Sequence, residues 1–180
     1  MTKLFVTSDL HFGHANVIKF CPETRGMFAS SEEMNEGMID QWNKTVSTED
    51  TVYILGDVAF TSATEACKII SQLNGNKILI EGNHDYKNLR DRMFRSQFSE
   101  IHKLYELVYN KNRIVMCHYP LASWNQCHRG SIMLHGHLHG KPSGLEQYRI
   151  KDVGYDSTGK VVSLLDDIID EISGNEINPR

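Results

Sequence analysis

Residues 4–14, LFVTSDLHFGH, run from an apolar strand into a pair of metal-ligand side chains. The β-branched and apolar character of residues 3–8 is typical of a strand that is buried in its sheet. Asp9 and His11 come directly after this strand and are two residues apart. Because side chains alternate along extended backbone, that spacing can aim both groups to the same side. The segment predicts a strand whose carboxyl end carries a carboxylate and an imidazole.

The same arrangement occurs four more times along the chain. The apolar runs TVYILG, KILIEG, RIVMC and SIMLHG each lead into a further polar cluster. The residues of those clusters are Asp57, Asn83 with His84, His118, and His137 with His139. Open α/β folds bind their ligands at the carboxyl ends of the strands, so we expect all five clusters to lie at one edge of a sheet.

The remaining pattern alternates helices with strands in the first half and favours strands in the second. Helices are expected over 15–20, which Pro22 prevents from continuing, from Ser30 or Ser31 onward, over 63–73 and over 166–172. Strands are expected over 51–55, 77–81, 132–135, 148–153 and 161–165, with a hairpin over 104–117. No linker, repeat or low-complexity segment divides the sequence. It is therefore predicted to be a single α/β domain over residues 1–180.

Composition narrows the class of protein before any chemistry is considered. The 180 residues are enough for one domain with a full hydrophobic core, and 40% apolar with 23% charged residues is ordinary for a globular protein. A net charge of -4 argues against a broad, charge-driven grip on nucleic acid, although it leaves room for a local basic cleft. The sequence has no 18-residue apolar run and no signal-peptide pattern, so we expect a cytoplasmic protein without a membrane partner.

The four cysteines, Cys21, Cys67, Cys117 and Cys127, show no CxxC spacing. We therefore expect reduced thiols rather than disulfides or a structural zinc site. Cys117 lies in an apolar run and is expected in the core, because cysteine is among the most buried residue types. The role of Cys127, in a polar loop, stays open.

The types of ligand indicate transition-metal chemistry. Carboxylate oxygens, imidazole nitrogens and an amide carbonyl form a mixed set that suits Mn, Fe, Zn or Co. Two such ions about 3.5–4 Å apart require a carboxylate that bridges them, and Asp57 at the end of the central strand is the natural candidate. Metal binding lowers the pKa of water from about 15.7 towards about 7, which supplies a hydroxide at neutral pH. Phosphorus is the expected electrophile.

The order of these motifs resembles the calcineurin-like metallophosphoesterase superfamily. The motifs are DxH at 9–11, GD at 56–57, GNHD at 82–85, a lone histidine at 118 and GHxH at 136–139. The longer forms SDLHFGHANVIKFC, HYPLASWN and LHGHLHG are similar to small stand-alone phosphoesterases of bacteria and phages. The resemblance extends from Asp9 to His139, which is most of the chain.

This resemblance implies a four-layer fold, in which two mixed β-sheets pack as a sandwich with flanking helices. It also implies two sets of metal ligands: Asp9, His11, Asp57 and His139 for one ion, and Asp57, Asn83, His118 and His137 for the other. His84 would not bind metal but would protonate the leaving oxygen, oriented by Asp85. A histidine beside a carboxylate is a suitable proton donor. The implied cofactors are two divalent transition-metal ions, manganese first, with Fe, Zn, Ni or Co as alternatives.

Three functions are compatible with the motifs. The first is metal-dependent hydrolysis of small phosphate esters, and diesters are favoured because a compact chain without large insertions predicts an open cleft. The second is a nuclease acting on DNA or RNA. The net negative charge and the lack of an added nucleic-acid-binding domain disfavour this function. The third is a non-enzymatic scaffold on the same fold, which the complete ligand set disfavours.

Several residues near the motifs have two interpretations. His14 either caps the following helix or touches substrate, and support of the site from outside the ligand set is favoured. Arg25 could contact a phosphate, although an exposed arginine is the commoner arrangement. Trp124 and Asn125 fit a wall of the cleft and the core equally well. The remaining histidines are expected within a strand (His135) or at the surface (His102 and His128).

Overall fold

Two mixed β-sheets with flanking helices make up the structure, a computed structural model that describes residues 2–179. The strands are β1 (Leu4–Thr7), β2 (Thr51–Ile54), β3 (Asn76–Ile80), β4 (Glu100–His102), β5 (Leu104–Tyr109), β6 (Asn112–Cys117), β7 (Ile132–His135), β8 (Ile150–Asp152) and β9 (Ser163–Leu164). The helices are α1 (Ala15–Phe20), α2 (Pro22–Arg25), α3 (Ser31–Thr45), α4 (Ala63–Ile70), α5 (Arg92–Arg95), α6 (Tyr155–Thr158) and α7 (Leu165–Ile172), with 3₁₀ turns at Asn88–Arg90 and Cys127–Arg129. The larger sheet has the strand order β4-β3-β2-β1-β9, and the smaller has the order β5-β6-β7-β8.

Strand direction determines where the predicted ligand loops leave the sheets. β1, β2, β3 and β4 run parallel, and β9 pairs with β1 in the antiparallel direction. In the smaller sheet β6, β7 and β8 are parallel, while β5 forms an antiparallel hairpin with β6. Parallel neighbours have their carboxyl ends on the same side. The loops after β1, β2 and β3, and those after β6 and β7, therefore leave each sheet together.

The larger sheet is buried on both faces, as β1 illustrates. Val6 belongs to an apolar cluster with Ile114 and Leu134 of the smaller sheet. Its neighbour Phe5 points to the opposite face and belongs to a cluster with Met38 and Trp42 of α3. The two sheets thus pack face to face with helices outside, and the predicted sandwich is confirmed.

A third apolar cluster covers the outer face of the smaller sheet. Val115 and Met133 pack there with Trp124 and Cys127 from the loop between β6 and β7. The Trp124 side chain is only 7% exposed, and its Nε1 donates to the Ser131 carbonyl oxygen at 3.2 Å. Trp124 is therefore a core residue and does not line the cleft, and Cys127 is buried with it.

Helix α3 begins where the sequence predicts. The Ser30 hydroxyl accepts from the Glu33 backbone N–H at 3.2 Å, and the Ala29 N–H donates to the Glu33 carboxylate at 2.7 Å. This reciprocal pair satisfies N–H groups that a helix start leaves without partners. Among residues 2–179, every helix is too short or too polar to cross a membrane.

Some element boundaries differ from the predictions. Helix α4 ends at Ile70 rather than at residue 73, and β8 and β9 are shorter than expected. The elements α2, α5, α6 and β4 were not predicted at all. Each is three or four residues long, which is too short for a hydrophobic period to be seen in the sequence.

Candidate metal centre

Five predicted metal ligands share an unusual backbone conformation. Eight non-glycine residues within 2–179 have a positive φ. Five of the eight are Asp9 (55°), His11 (50°), Asp57 (53°), His137 (72°) and His139 (51°). Left-handed backbone costs an ordinary residue about 1–3 kcal/mol and persists where the surrounding structure enforces it, often at functional sites. The loops are therefore bent at the residues that carry the ligand side chains.

The first group of side chains consists of Asp9, His11 and His139. The Oδ1 atom of Asp9 lies 3.9 Å from His11 Nε2 and 3.8 Å from His139 Nε2. These separations are too long for hydrogen bonds. They suit two atoms that each lie about 2.0–2.2 Å from the same ion, which are then about 3–4 Å apart. The three residues can hold one metal ion.

Asp57 lies between this group and a second one that contains His118 and Asn83. Its Oδ2 atom is 3.7 Å from His11 Nε2 and 3.6 Å from His118 Nε2. His118 Nε2 is also 2.9 Å from Asn83 Oδ1. Asp57 therefore faces ligand atoms of both groups, as a carboxylate shared by two ions must.

His137 joins the cluster through its backbone and its ring. Its N–H donates to Asp9 Oδ2 at 2.9 Å, and its ring centroid lies 5.1 Å from that of His118. With His137, the structure brings every predicted ligand into one cluster: Asp9, His11, Asp57, Asn83, His118, His137 and His139.

Buried polar atoms without protein partners mark the centre of this cluster. Asp9 Oδ1 and both ring nitrogens of His11 are buried and have no hydrogen-bond partner within residues 2–179. Buried polar groups are hydrogen-bonded in nearly all native proteins. Here a carboxylate oxygen and an imidazole nitrogen face each other without a hydrogen bond between them. A divalent cation binds to donor atoms of these two kinds. These residues therefore fit a metal ion.

Burial prepares the same two groups for metal binding. It raises the pKa of Asp9 to about 6. Burial, together with the nearby His139, lowers the pKa of His11 to about 2. At neutral pH His11 is therefore uncharged, with a lone pair available for coordination, and Asp9 is largely ionised. A cation beside Asp9 would stabilise that buried carboxylate, because an opposite charge offsets the cost of desolvation.

The far ring nitrogens of two histidines contact oxygen atoms that fix their orientation. His118 Nδ1 lies 2.7 Å from the Leu55 carbonyl oxygen, and His139 Nδ1 lies 2.7 Å from Asp156 Oδ2. A proton on each Nδ1 leaves Nε2 as a lone pair directed at the carboxylates, which is the usual arrangement of metal-binding histidines. The 2.9 Å contact between His118 Nε2 and Asn83 Oδ1 then joins two acceptors, which a shared cation would stabilise.

Asp156 belongs to the site although no sequence motif marks it. Besides His139, its carboxylate binds Arg25, whose Nε and Nη2 donate at 2.8 and 3.0 Å. Although burial opposes ionisation, the hydrogen bonds from His139 and Arg25 hold the pKa of Asp156 well below its usual range. The hydrogen bond to Asp156 in turn raises the pKa of His139. Asp156 is thus an anion that orients a predicted metal ligand.

Arg25 is fully buried, so the sequence-based expectation of an exposed arginine or a phosphate contact is wrong. In addition to Asp156, it donates to the backbone carbonyls of Asp9 at 2.6 Å and Leu10 at 2.9 Å. One guanidinium therefore ties the loop of Asp9 to the carboxylate that orients His139. We call Arg25 and Asp156 the buried brace of the site.

His84 lies at the open side of the cluster. Its side chain is 43% exposed, and Nε2 is 4.0 Å from Asp57 Oδ2. Its backbone N–H donates to Asp57 Oδ1 at 2.9 Å, which positions the residue independently of the imidazole. The ring lies edge-on to Phe60, with 5.2 Å between the centroids. An exposed imidazole beside the ligand cluster is placed to exchange a proton with a bound molecule.

Asp85 occupies a different place from the one expected. Its carboxylate accepts hydrogen bonds from the backbone N–H groups of Gly82, Asp57 and Val58 at 2.8, 2.9 and 3.0 Å. Within residues 2–179, no hydrogen bond joins it to the His84 imidazole. Asp85 therefore fixes the loop that carries Asp57. The structure does not support the prediction that it orients the His84 ring.

His14 supports the site from outside the ligand cluster. It stands at the N-cap position of α1, but its side chain makes no capping hydrogen bond. Its ring stacks on Phe60 with 4.3 Å between centroids and lies 5.3 Å from the His11 ring. Packing, rather than capping, is therefore its structural role. Of the other histidines, His135 lies in β7 as predicted and His102 pairs with Glu100 at 2.8 Å.

Gly136 permits the close approach of two ligand loops. A Cβ atom at this position would collide with the Ser8 hydroxyl and with Asp9 Oδ2.

We expect Gly136→Ala to displace Asp9 and to lower the affinity for Mn²⁺ by about 10–100-fold, as losses of ligand positioning do. Calorimetric titration measures this. Gly174→Ala is the matched control, because a Cβ there meets no atom within 4 Å. Equal affinities of Gly136→Ala and the unmodified protein would rule out the steric argument.

Comparisons with known proteins cover nearly the whole chain. A family model described as calcineurin-like phosphoesterase matches residues 2–176. An uncharacterized protein of Methanocaldococcus jannaschii is 35% identical over 150 residues, which are 82% of this chain and 74% of that protein. The gene 66 protein of Mycobacterium phage L5 is 29% identical over 203 residues, covering 96% of this chain and 95% of that protein. A protein of unknown function from Aquifex aeolicus has a crystal structure that matches with a TM-score of 0.74 and 24% identity, covering 96% of this chain and 100% of that one.

Proposed function

Because this chain belongs to the calcineurin-like phosphoesterase family, we propose that it hydrolyses phosphate esters, diesters in particular, with two divalent metal ions. The position of Asp57 supports this most directly. Its Oδ2 lies 3.7 Å from His11 Nε2 and 3.6 Å from His118 Nε2. A carboxylate between two groups of ligands suits a pair of ions that share it.

The ligands divide into two sets around Asp57. We assign Asp9, His11, Asp57 and His139 to one ion, and Asp57, Asn83, His118 and His137 to the other. The buried atoms of Asp9 and His11 that lack protein partners support the first set. The contact between His118 Nε2 and Asn83 Oδ1 supports the second. Manganese is the first choice of metal, with Fe, Zn, Ni and Co as alternatives, because the donors are nitrogen and oxygen without a thiolate.

Each part of the proposed site then has a distinct role. The ions, when bound, would neutralise charge on the phosphoryl group and supply a nucleophile from water. His84, exposed beside Asp57, holds the proton that passes to the leaving oxygen. The buried brace of Arg25 and Asp156 keeps His139 and the loop of Asp9 in place. The acid is thus accessible to a bound molecule, while hydrogen bonds hold His139 and the loop of Asp9 in position.

Removal of metal tests this function. A chelator should reduce the hydrolysis of bis(p-nitrophenyl) phosphate to background, and added Mn²⁺ should restore it, because the nucleophile depends on bound metal. Circular dichroism of the chelated protein serves as the control for unfolding. Hydrolysis that survives complete chelation contradicts the proposal. Failure of Mn, Fe, Zn, Ni and Co to activate the protein would indicate a scaffold, and faster cleavage of plasmid DNA than of the small diester would indicate a nuclease.

A further inference from the structure

The four exposed phenylalanine and tyrosine side chains within residues 2–179 lie around the ligand cluster or beside His84. They are Phe20 (72% exposed), Phe60 (49%), Tyr86 (53%) and Tyr119 (44%). Phe60 lies 5.2 Å from the His84 ring, and Tyr119 lies 4.8 Å from the His137 ring. A single exposed apolar residue needs no explanation, but exposed aromatic groups gathered at one site indicate a binding surface.

Two cavities share Phe60 and His84 among their lining residues. The larger, of 810 Å³, is lined by the predicted metal ligands His11, His137 and His139, and also by Phe20 and Lys141. The smaller, of 250 Å³, is lined by Tyr86 as well. A phosphodiester carries two substituents on one phosphorus atom. Two cavities that meet at the proposed general acid provide a place for each substituent.

The larger cavity has an aromatic wall and a polar rim. The His14 ring contacts both Phe60, stacked at 4.3 Å, and Phe20, edge-on at 6.3 Å. Glu23 and Lys141 are exposed at the rim. Heteroaromatic bases bind proteins by stacking on such side chains and by hydrogen bonds from their edges to polar groups. A flat heteroaromatic base covers more of the aromatic wall than a methyl group does.

We propose that the larger cavity binds the nucleobase of a nucleoside phosphodiester, with Phe20 and Phe60 as its stacking surface. This proposal rests on the proposed phosphoesterase function, which places the phosphate at the ligand cluster in the same cavity. Its volume lies within the range of about 300–1,000 Å³ that is usual for small-molecule sites. The substrates are then nucleoside esters rather than alkyl or sugar phosphates.

Two chromogenic diesters with the same leaving group test the proposal. Thymidine 5′-(p-nitrophenyl phosphate) carries a nucleoside on the phosphate, and methyl p-nitrophenyl phosphate carries a methyl group instead. With Mn²⁺, kcat/KM for the nucleoside ester should exceed that for the methyl ester by about tenfold or more, the usual effect of stacking one base. Phe20→Ala should lower this ratio several-fold, because only Phe60 then remains of the proposed stacking surface. Phe20→Leu, which keeps the bulk but loses the ring, should give an intermediate ratio.

A variant remote from the cavity serves as the control. Val108→Ala removes an apolar side chain of similar exposure (63%) from the hairpin of β5 and β6, and should leave the ratio unchanged.

A single-stranded oligonucleotide distinguishes the sources of the base. Cleavage that weakens in Phe20→Ala identifies a nucleic acid as the source of the base, and no cleavage, together with a preference for the thymidine ester, identifies a mononucleotide diester. Cleavage of the oligonucleotide that Phe20→Ala leaves unchanged contradicts the base site.

The failure of this proposal differs from the failure of the proposed function. If both esters are hydrolysed but the ratio is near one, or Phe20→Ala leaves it unchanged, the nucleobase site is refuted and the phosphoesterase function stands. If neither ester shows metal-dependent hydrolysis, the function itself is refuted, and the nucleobase site with it.

Discussion

Replacing His84 with alanine should slow the hydrolysis of an alkyl phosphodiester by about 10²–10⁴-fold while the protein keeps both metal ions. The imidazole is 43% exposed at the open side of the cluster, where it can protonate the leaving oxygen. The backbone N–H that donates to Asp57 Oδ1 is retained in the variant, so the ligand loop should keep its shape. A nitrophenyl ester should lose much less, because nitrophenolate departs without a proton. The measurements are kcat for both esters and the metal content.

Two further variants locate the origin of the effect. His128→Ala removes an exposed histidine from a 3₁₀ turn outside the cluster and should change neither rate. Asp85→Asn should slow both esters by the same factor, because the Asp85 carboxylate holds the loop of Asp57 rather than the His84 ring. If His84→Ala loses a metal ion, or slows both esters equally, His84 is a ligand or a substrate-binding group and the mechanism is wrong.

Asp57→Asn should impair metal binding at both sites and reduce hydrolysis to background. Asp57 Oδ2 faces His11 in one group of ligands and His118 in the other. An amide carries no charge, so both ions lose electrostatic attraction at once. Loss of a partner outside the ligand set already costs about 10–100-fold in affinity, and loss of a shared ligand should cost more at each site. Titration with Mn²⁺ measures the two affinities.

Asp9→Asn is the matched control for Asp57→Asn. Asp9 Oδ1 faces His11 and His139, which belong to one proposed ion, while Oδ2 accepts from the His137 backbone N–H. Its replacement should therefore weaken chiefly one site. If Asp57→Asn also loses only one site and leaves the second intact, Asp57 is not the bridging ligand.

The meeting of Asp9 and Asp57 follows from a pattern that is visible in the sequence. The expectation that all five clusters lie at one edge of a single sheet is wrong, because His118, His137 and His139 follow strands of the smaller sheet. Asp9 follows β1, Asp57 follows β2, and His118 follows β6, and each of these strands is marked by an apolar run. Because β1 and β2 are parallel neighbours, their carboxyl ends, and therefore both aspartates, had to be close. The left-handed backbone of Asp9 was not predictable. It depends on tertiary contacts such as the hydrogen bond from its N–H to the Gly56 carbonyl at 3.0 Å.

The buried brace could not be predicted because its two residues are 131 positions apart and lie in helices of four residues. Neither helix has a hydrophobic period that a sequence could reveal. Arginine is rarely buried unless it is paired, so Arg25 was expected at the surface. The charge of Asp156 and the carbonyl oxygens of Asp9 and Leu10 together make its burial favourable. The position of the Asp85 carboxylate could not be predicted either. Asp85 is next to His84 in the sequence, but its carboxylate does not lie beside the His84 imidazole.

Anomalous diffraction from crystals grown with Mn²⁺ tests the two-metal centre most directly. We expect two peaks about 3.5–4 Å apart, with the Asp57 carboxylate between them. One should lie beside Asp9, His11 and His139, and the other beside Asn83, His118 and His137. A single peak at saturating Mn²⁺, or two peaks that do not share Asp57, would contradict the account.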